Sequence, residues 1–260
     1  SRTFYDEKYF DNARWDYPAA SSVGHNVLFV NGEKQLPGKL YKQPFNFDIG
    51  GRVVEFRTGS QKDYVLMDPT NAYPKKELKA WRRHVTLEKP NLMIILDEVE
   101  CAPGKEIEVR FHSGCQVTNQ ERFVLLAAGG GVREPAMPSR RQRPAPAVSA
   151  HAGGKTVALI PVIEKDFTIR EDRHANMYVH AQAQFSWIPY FGVVVNAPAP
   201  KTLIGTLLLP VSNSEEAKAV QKSASLAKDS AGNVVLRFTA QNQPYEYLYK
   251  AKKQGLVLQE

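Results

Sequence analysis

Polar and apolar residues alternate along most of this chain. In Glu106-Ile107-Glu108-Val109-Arg110-Phe111-His112 the odd positions are apolar and the even ones polar. A strand sends successive side chains to opposite faces, so this pattern predicts one buried face and one wet face. The same reading gives strands at Asn26–Asn31, Arg52–Arg57, Tyr64–Met67, Lys79–Glu88, Leu92–Glu100, Glu106–His112, Arg122–Ala127, Thr156–Ile163, Tyr178–Gln184, Gly192–Val195, Lys201–Leu209, Val234–Ala240 and Tyr245–Lys250. They are rich in Val, Ile, Phe, Tyr and Thr and are bounded by Gly, Pro and Asn. Asn31-Gly32 and Pro103-Gly104 are turn dipeptides, because Pro presets φ and Gly or Asn accepts a positive one.

Helical signals are few. Ser212-Asn213-Ser214-Glu215 forms a capping box ahead of a short Glu216–Lys222 helix, and Asp68–Lys76 has room for one helical turn. Many closely spaced strands with so little helix predict an all-β fold, an antiparallel two-layer β-sandwich, with residues 1–260 as a single domain. Gly129–Gly154 is rich in Gly, Pro and Arg and reads as a long loop, either a basic flap over a groove or an insertion without a role.

Composition narrows the class. The 260 residues are 43% apolar, enough for a core, and no apolar run reaches the length of a membrane-crossing helix. The chain opens on Ser1-Arg2-Thr3, with no initiator Met and no apolar leader, and reads as a piece of something longer. Its net charge of +7 favours polyanionic partners. Much of the excess sits in Arg140-Arg141-Gln142-Arg143 and in Lys250, Lys252 and Lys253, clustered without the interleaved aromatics of a nucleic-acid groove, so neither nucleic acid nor membrane is expected as a partner.

The two cysteines, Cys101 and Cys115, flank an apparent hairpin of Leu92–Glu100 and Glu106–His112. One at its turn and one near its far end would be roughly 30 Å apart at ~3.3 Å per residue. A disulfide requires Cα atoms within about 7 Å, so two free thiols are predicted.

Chemistry concentrates at His25-Asn26, which open a strand that runs into Gly32 and then Gln35. Downstream, Trp81-Arg82-Arg83-His84-Val85-Thr86-Leu87 leads through Lys89-Pro90 to Leu92-Met93-Ile94-Ile95-Leu96-Asp97. In order and spacing this resembles, over roughly the first 115 residues, the C-terminal sandwich of the heparinase II/III-like polysaccharide lyases. The resemblance implies an (α/α) toroid domain ahead of the sandwich, periplasmic or secreted, and an acidic, uronate-containing polysaccharide bound in the cleft between the two parts. The implied reaction is β-elimination, in which the uronate carboxylate is neutralised, a base takes the C5 proton and the C4–O bond breaks. It also implies that His25 is one ligand of a metal, zinc or another divalent ion, whose other ligands come from upstream, so that no metal is expected on this chain alone and the chain alone is silent. Without the resemblance, His25 reads as a residue that packs or caps at a strand start.

Tyr9, sixteen residues before His25, is the candidate acid or base by the same resemblance, with Tyr5 and Tyr17 as competitors. Arg82 and Arg83 suit an acidic sugar, but alternation lets at most one of them face any groove, and a cross-strand ion pair is the other reading. His84 is expected on a wet face. His112, His151, His174 and His180 fit no metal spacing, there is no serine elbow, and Gly129-Gly130-Gly131 is no phosphate loop. The rival readings are a non-catalytic carbohydrate-binding sandwich presenting Trp81, Trp187 and Tyr190 as a row, and a structural module.

Overall fold

The computed structural model of the chain describes residues 11–18, 20–37, 43–44, 46–113, 115–127, 156–176, 186–253 and 255–259. Tyr9, the 129–154 loop, His151, His180 and the Tyr178–Gln184 strand lie outside them, as does the Trp187 side chain. Among the described residues, sixteen strands form three antiparallel sheets. The first sheet has the order β1 (Leu28–Val30), β6 (Glu106–His112), β11 (Ser186–Asn196), β10 (Thr168–Asn176). The central sheet has eight strands: β2 (Arg52–Thr58), β3 (Lys62–Asp68), β4 (Ala80–Glu88), β5 (Leu92–Glu100), β12 (Lys201–Val211), β9 (Thr156–Val162), β8 (Val124–Ala127) and β7 (Gln116–Asn119). The C-terminal sheet is a meander of β13 (Ser225–Lys228), β14 (Val234–Ala240), β15 (Gln243–Lys252) and β16 (Gly255–Leu258).

The antiparallel sandwich expected from the alternation is present, and a third sheet is added to it. One face of the central sheet, with Ile95, Val99, Leu159 and Ile204, packs on Leu28, Ile107, Val109, Phe191 and Val193 of the first sheet. The other face, with Ile94, Leu96, Ile160 and Leu207, packs on Leu236, Phe238, Tyr249 and Leu258 of the C-terminal sheet. A strand buried on both faces needs no polar alternate, which is why Leu92–Leu96 and Ala158–Val162 are continuously apolar. Each fully buried Leu or Ile there contributes about 1.5–3 kcal/mol.

The helix α1 (Ser214–Ser223) closes an end of the second core with Ala217 and Val220. Its cap is one residue later than the sequence suggests. Asn213 Oδ1 accepts from Glu216 N at 2.9 Å, while Glu216 Oε2 accepts from Ser212 N at 2.7 Å. The helical turn in Asp68–Lys76 is a 3-10 turn at Thr70–Ala72.

β5 and β6 are not a hairpin. β5 pairs with β4 and β12 in the central sheet, whereas β6 pairs with β1 and β11 in the first. The Pro103-Gly104 segment carries the chain from one sheet to the other, fixed by Gly104 N donating to Ala197 O at 2.9 Å. The two apolar faces thus pack on each other across the sandwich, which hides more surface than edge-to-edge pairing. Cys101, buried, and Cys115, exposed, are both free thiols, although β5 and β6 do not pair as a hairpin. Burial pushes the Cys101 thiol up.

Candidate functional site

His25 follows the 3-10 turn Ser22–Gly24 and is exposed. Gly24 is required there, because a Cβ at this position would lie 2.3 Å from the Pro18 carbonyl oxygen. The backbone is pinned on both sides of the imidazole. His25 N donates to Ser22 O at 3.1 Å, and Val27 N donates to His25 O at 3.0 Å.

Asn26 is the anchor. Its Oδ1 accepts from His112 N at 2.8 Å and lies 3.2 Å from His112 Nδ1. Its carbonyl accepts from an Arg83 guanidinium nitrogen at 2.8 Å. Arg83 is 8% exposed and grips Asp97, which is fully buried, through both carboxylate oxygens at 2.8 and 3.0 Å. Trp81 Nε1 donates to the same Asp97 at 2.7 Å. A buried ion pair on β4 and β5 thus holds the segment carrying His25 against the end of β6.

Arg83 is therefore a positioning residue, turned inward and out of reach of a ligand. Of the arginine pair, Arg82 alone faces a groove, and that groove lies on the side of the central sheet away from His25. His84 is not on a wet face. It is fully buried on the C-terminal side of the central sheet, with Nδ1 2.8 Å from the Tyr64 hydroxyl and Nε2 2.8 Å from Glu98 Oε1. The third layer covers a strand face that alternation alone would leave in water. Trp81 is 2% exposed between the sheets, which removes it from any aromatic row for sugar.

From His112 the outer face of the first sheet continues as a charged layer. Arg110 lies with its guanidinium 3.8 Å from the Tyr190 ring centroid and 4.0 Å from that of Phe29, and its Nε donates to Glu108 at 2.7 Å. Arg170 on β10 donates to both oxygens of Glu106 at 2.7 and 3.0 Å and lies 3.5 Å from Glu108. Tyr190 donates to Asp172 at 3.1 Å. Glu108 and Arg110 are 4% and 8% exposed, so the face predicted to be wet is not. Ring stacking and paired charge replace the lost water.

These contacts set the electrostatics. The Arg170 guanidinium holds the Glu106 carboxyl below its ordinary value, and the Arg173 backbone N–H does the same for Asp172. Burial raises Tyr190, opposed by Arg110 and reinforced by Asp172. Its hydroxyl stays neutral and donates, so this tyrosine is a poor base. Arg110 and Arg170 are both committed to carboxylates. Arg110 is buried against Glu108, whereas Arg170 pairs with Glu106 nearer the surface.

A metal fits poorly on these residues alone. Among the described residues no group of three or more His, Cys, Asp and Glu converges to hold an ion. His25 is exposed beside Asn26 in the chain, and His112 meets Asn26 through its backbone N–H and Nδ1. The charged layer was legible in the sequence only as opposite charges two apart in Glu108-Val109-Arg110, and Asn26 only as the neighbour of His25.

With that geometry in place, the chain can be set beside known proteins. The profile described as "Heparinase II/III-like, C-terminal" matches residues 7–221. No curated protein sequence matches the chain. The structure is similar to that of the heparan sulfate lyase HepC from Pedobacter heparinus, with TM-score 0.59 and 13% identity, covering 98% of this chain and 33% of that one. A structure described as heparinase III gives 0.59 and 13%, covering 96% and 32%. One described as the heparinase III BT4657 gene product gives 0.57 and 10%, covering 96% and 33%. The chain spans about a third of the length of these structures, and likeness at such identity shows the fold. The profile covers most of the sequence, and by it the chain belongs to the heparinase II/III-like C-terminal family.

Proposed function

We propose that this chain is the C-terminal sandwich of a polysaccharide lyase that cleaves a uronate-containing, acidic polysaccharide by β-elimination in the periplasm or outside the cell. The outer face of the first sheet is one wall of the cleft, and a toroid domain supplies the other. His25 is one ligand of a divalent metal, zinc by donor type, completed by residues outside this chain. The observation that carries the reading is the pinned His25-Asn26 segment in a chain whose family profile covers residues 7–221.

The chemistry divides accordingly. A C–H beside a carboxylate is a weak acid, so elimination requires a positive group on the carboxylate, a base at C5 and a proton for the departing C4 oxygen. The sandwich wall supplies rigidity, because Asn26, Arg83 and Asp97 pin the backbone beside His25. Its Arg110 and Arg170 pair with Glu108 and Glu106, and the neutralising group comes from the other wall. Tyr9 is the candidate proton carrier on this chain.

The test compares the isolated chain with the longer protein containing it, following the ultraviolet absorbance of the C4–C5 double bond on a panel of uronate polymers. The expected result is unsaturated product from the longer protein and none from the chain alone. Product from neither would overturn the lyase reading, and product from the isolated chain would overturn the division of labour.

A further inference from the structure

A groove of about 790 Å³ runs between the central and C-terminal sheets, on the side of the central sheet away from His25. That size suits a small-molecule or oligosaccharide segment. Its lining carries seven Lys and Arg against four Asp and Glu. Three of the four carboxylates are already engaged. Glu98 accepts from His84 and from Leu256 N, Glu100 pairs with Lys79 and Lys201, and Asp68 pairs with Arg52. Asp48 is the fourth.

The cations are engaged less fully. Arg82, Lys228, Lys252 and Lys253 line the groove and form no ion pair among the described residues. Arg82 stands opposite Glu98 in the β4–β5 register, yet the carboxylate is held by His84 and the Leu256 amide instead. The guanidinium lies against Gly255, where a Cβ would come within 2.6 Å of its nearer terminal nitrogen. Its planar fork suits a carboxylate or sulfate, which it can grip through two parallel N–H donors. Lys228, Lys252 and Lys253 come from the C-terminal sheet and its edges, so positive charge flanks the groove from both sheets. Phe47, 88% exposed, also lines it.

We propose that this groove is a second binding site, separate from the cleft wall, for a carboxylated or sulfated oligosaccharide segment. Arg82 grips one acidic substituent and the lysines its neighbours. The choice of polymer rests on the lyase reading; the charge arrangement does not. A second site on the same polymer raises the local concentration of substrate at the cleft without touching the reacting bond.

The experiment is calorimetric titration of the 260-residue chain with a heparin oligosaccharide at two salt concentrations. The double variant R82Q/K252Q is expected to bind at least about tenfold more weakly, equal to about 1.4 kcal/mol, with an unchanged thermal midpoint. The charge-matched double variant K165Q/K218Q, outside the groove, is expected to bind as the parent chain does. Equal affinity in R82Q/K252Q, or an equal loss in K165Q/K218Q, would overturn the site. Single-stranded DNA bound as tightly, and weakened by the same groove variant, would overturn the assignment to carbohydrate. Groove binding that persists when the longer protein makes no unsaturated product leaves this site standing and removes the lyase reading.

Discussion

Asp97 is the residue on which the His25 segment depends. It is fully buried and receives Trp81 Nε1 and two nitrogens of Arg83, and the third guanidinium nitrogen reaches the Asn26 carbonyl. Removing one partner of such a pair leaves an uncompensated charge in the sandwich. Asp97→Ala is expected to cost about 3–5 kcal/mol, measured as a lowered denaturant midpoint, and Asp97→Asn less. Nothing in the order Arg82-Arg83-His84 said which arginine turns inward. Alternation limited the choice to one, and both arginines stand opposite an acid in the β4–β5 register; what differs is that Asp97 lies buried beside Trp81, whereas Glu98 is taken by His84 and the Leu256 amide. His84 escaped the sequence reading for a related reason. Its partners Tyr64 and Glu98 lie on two other strands, and no local pattern announces a buried histidine whose two nitrogens are both satisfied.

At the scale of elements, local chemistry was read well where it is local. The bounds of β5, β6 and β14 follow the sequence expectation, because strong alternation or apolar runs end there at turn residues. β7, β10, β13 and β16 were missed. Three of them are four-residue edge strands, and the fourth, β10, is Thr-Ile-Arg-Glu-Asp-Arg-His-Ala-Asn, nearly all polar and secured by its partner β11 instead of by burial. The helix was found, but its cap lay one residue off. Asn213 is the cap, so Asn213→Ala is expected to lose about 1 kcal/mol, and Ser212→Ala far less, in thermal unfolding. Equal losses would restore the earlier position of the cap.

For the whole molecule, the sequence showed two packed sheets and concealed the third. The clue was the unbroken apolar run Leu92–Leu96, which a sheet wet on one side cannot carry. Burial in the added interface also shapes the pH range. Burial pushes Tyr64 up to about 12 from an ordinary 10.0 and moves Tyr249 and Tyr247 in the same direction. A raised folded value gives stability that is complete below pH 10.0 and is lost as pH rises through about 12. In acid, Glu106 is held down by Arg170 and Asp229 by Asn233. Their contribution is present above the ordinary 4.5 and 3.8 and is lost as pH falls through the lowered values. The thermal midpoint is thus expected to plateau between about pH 5 and pH 9 and to fall on both sides. A midpoint still rising above pH 10 would contradict the buried tyrosines.

The central claim joins a family fold to one exposed histidine. It is tested most directly in the longer protein that contains this chain, by measuring unsaturated product from uronate polymers together with bound metal in His25→Ala. Altering a partner of a metal ligand already costs roughly 10–100-fold, so loss of the ligand is expected to cost at least about 100-fold in activity and to lower the metal content in parallel. Full activity and undiminished metal in His25→Ala would contradict the account at its centre.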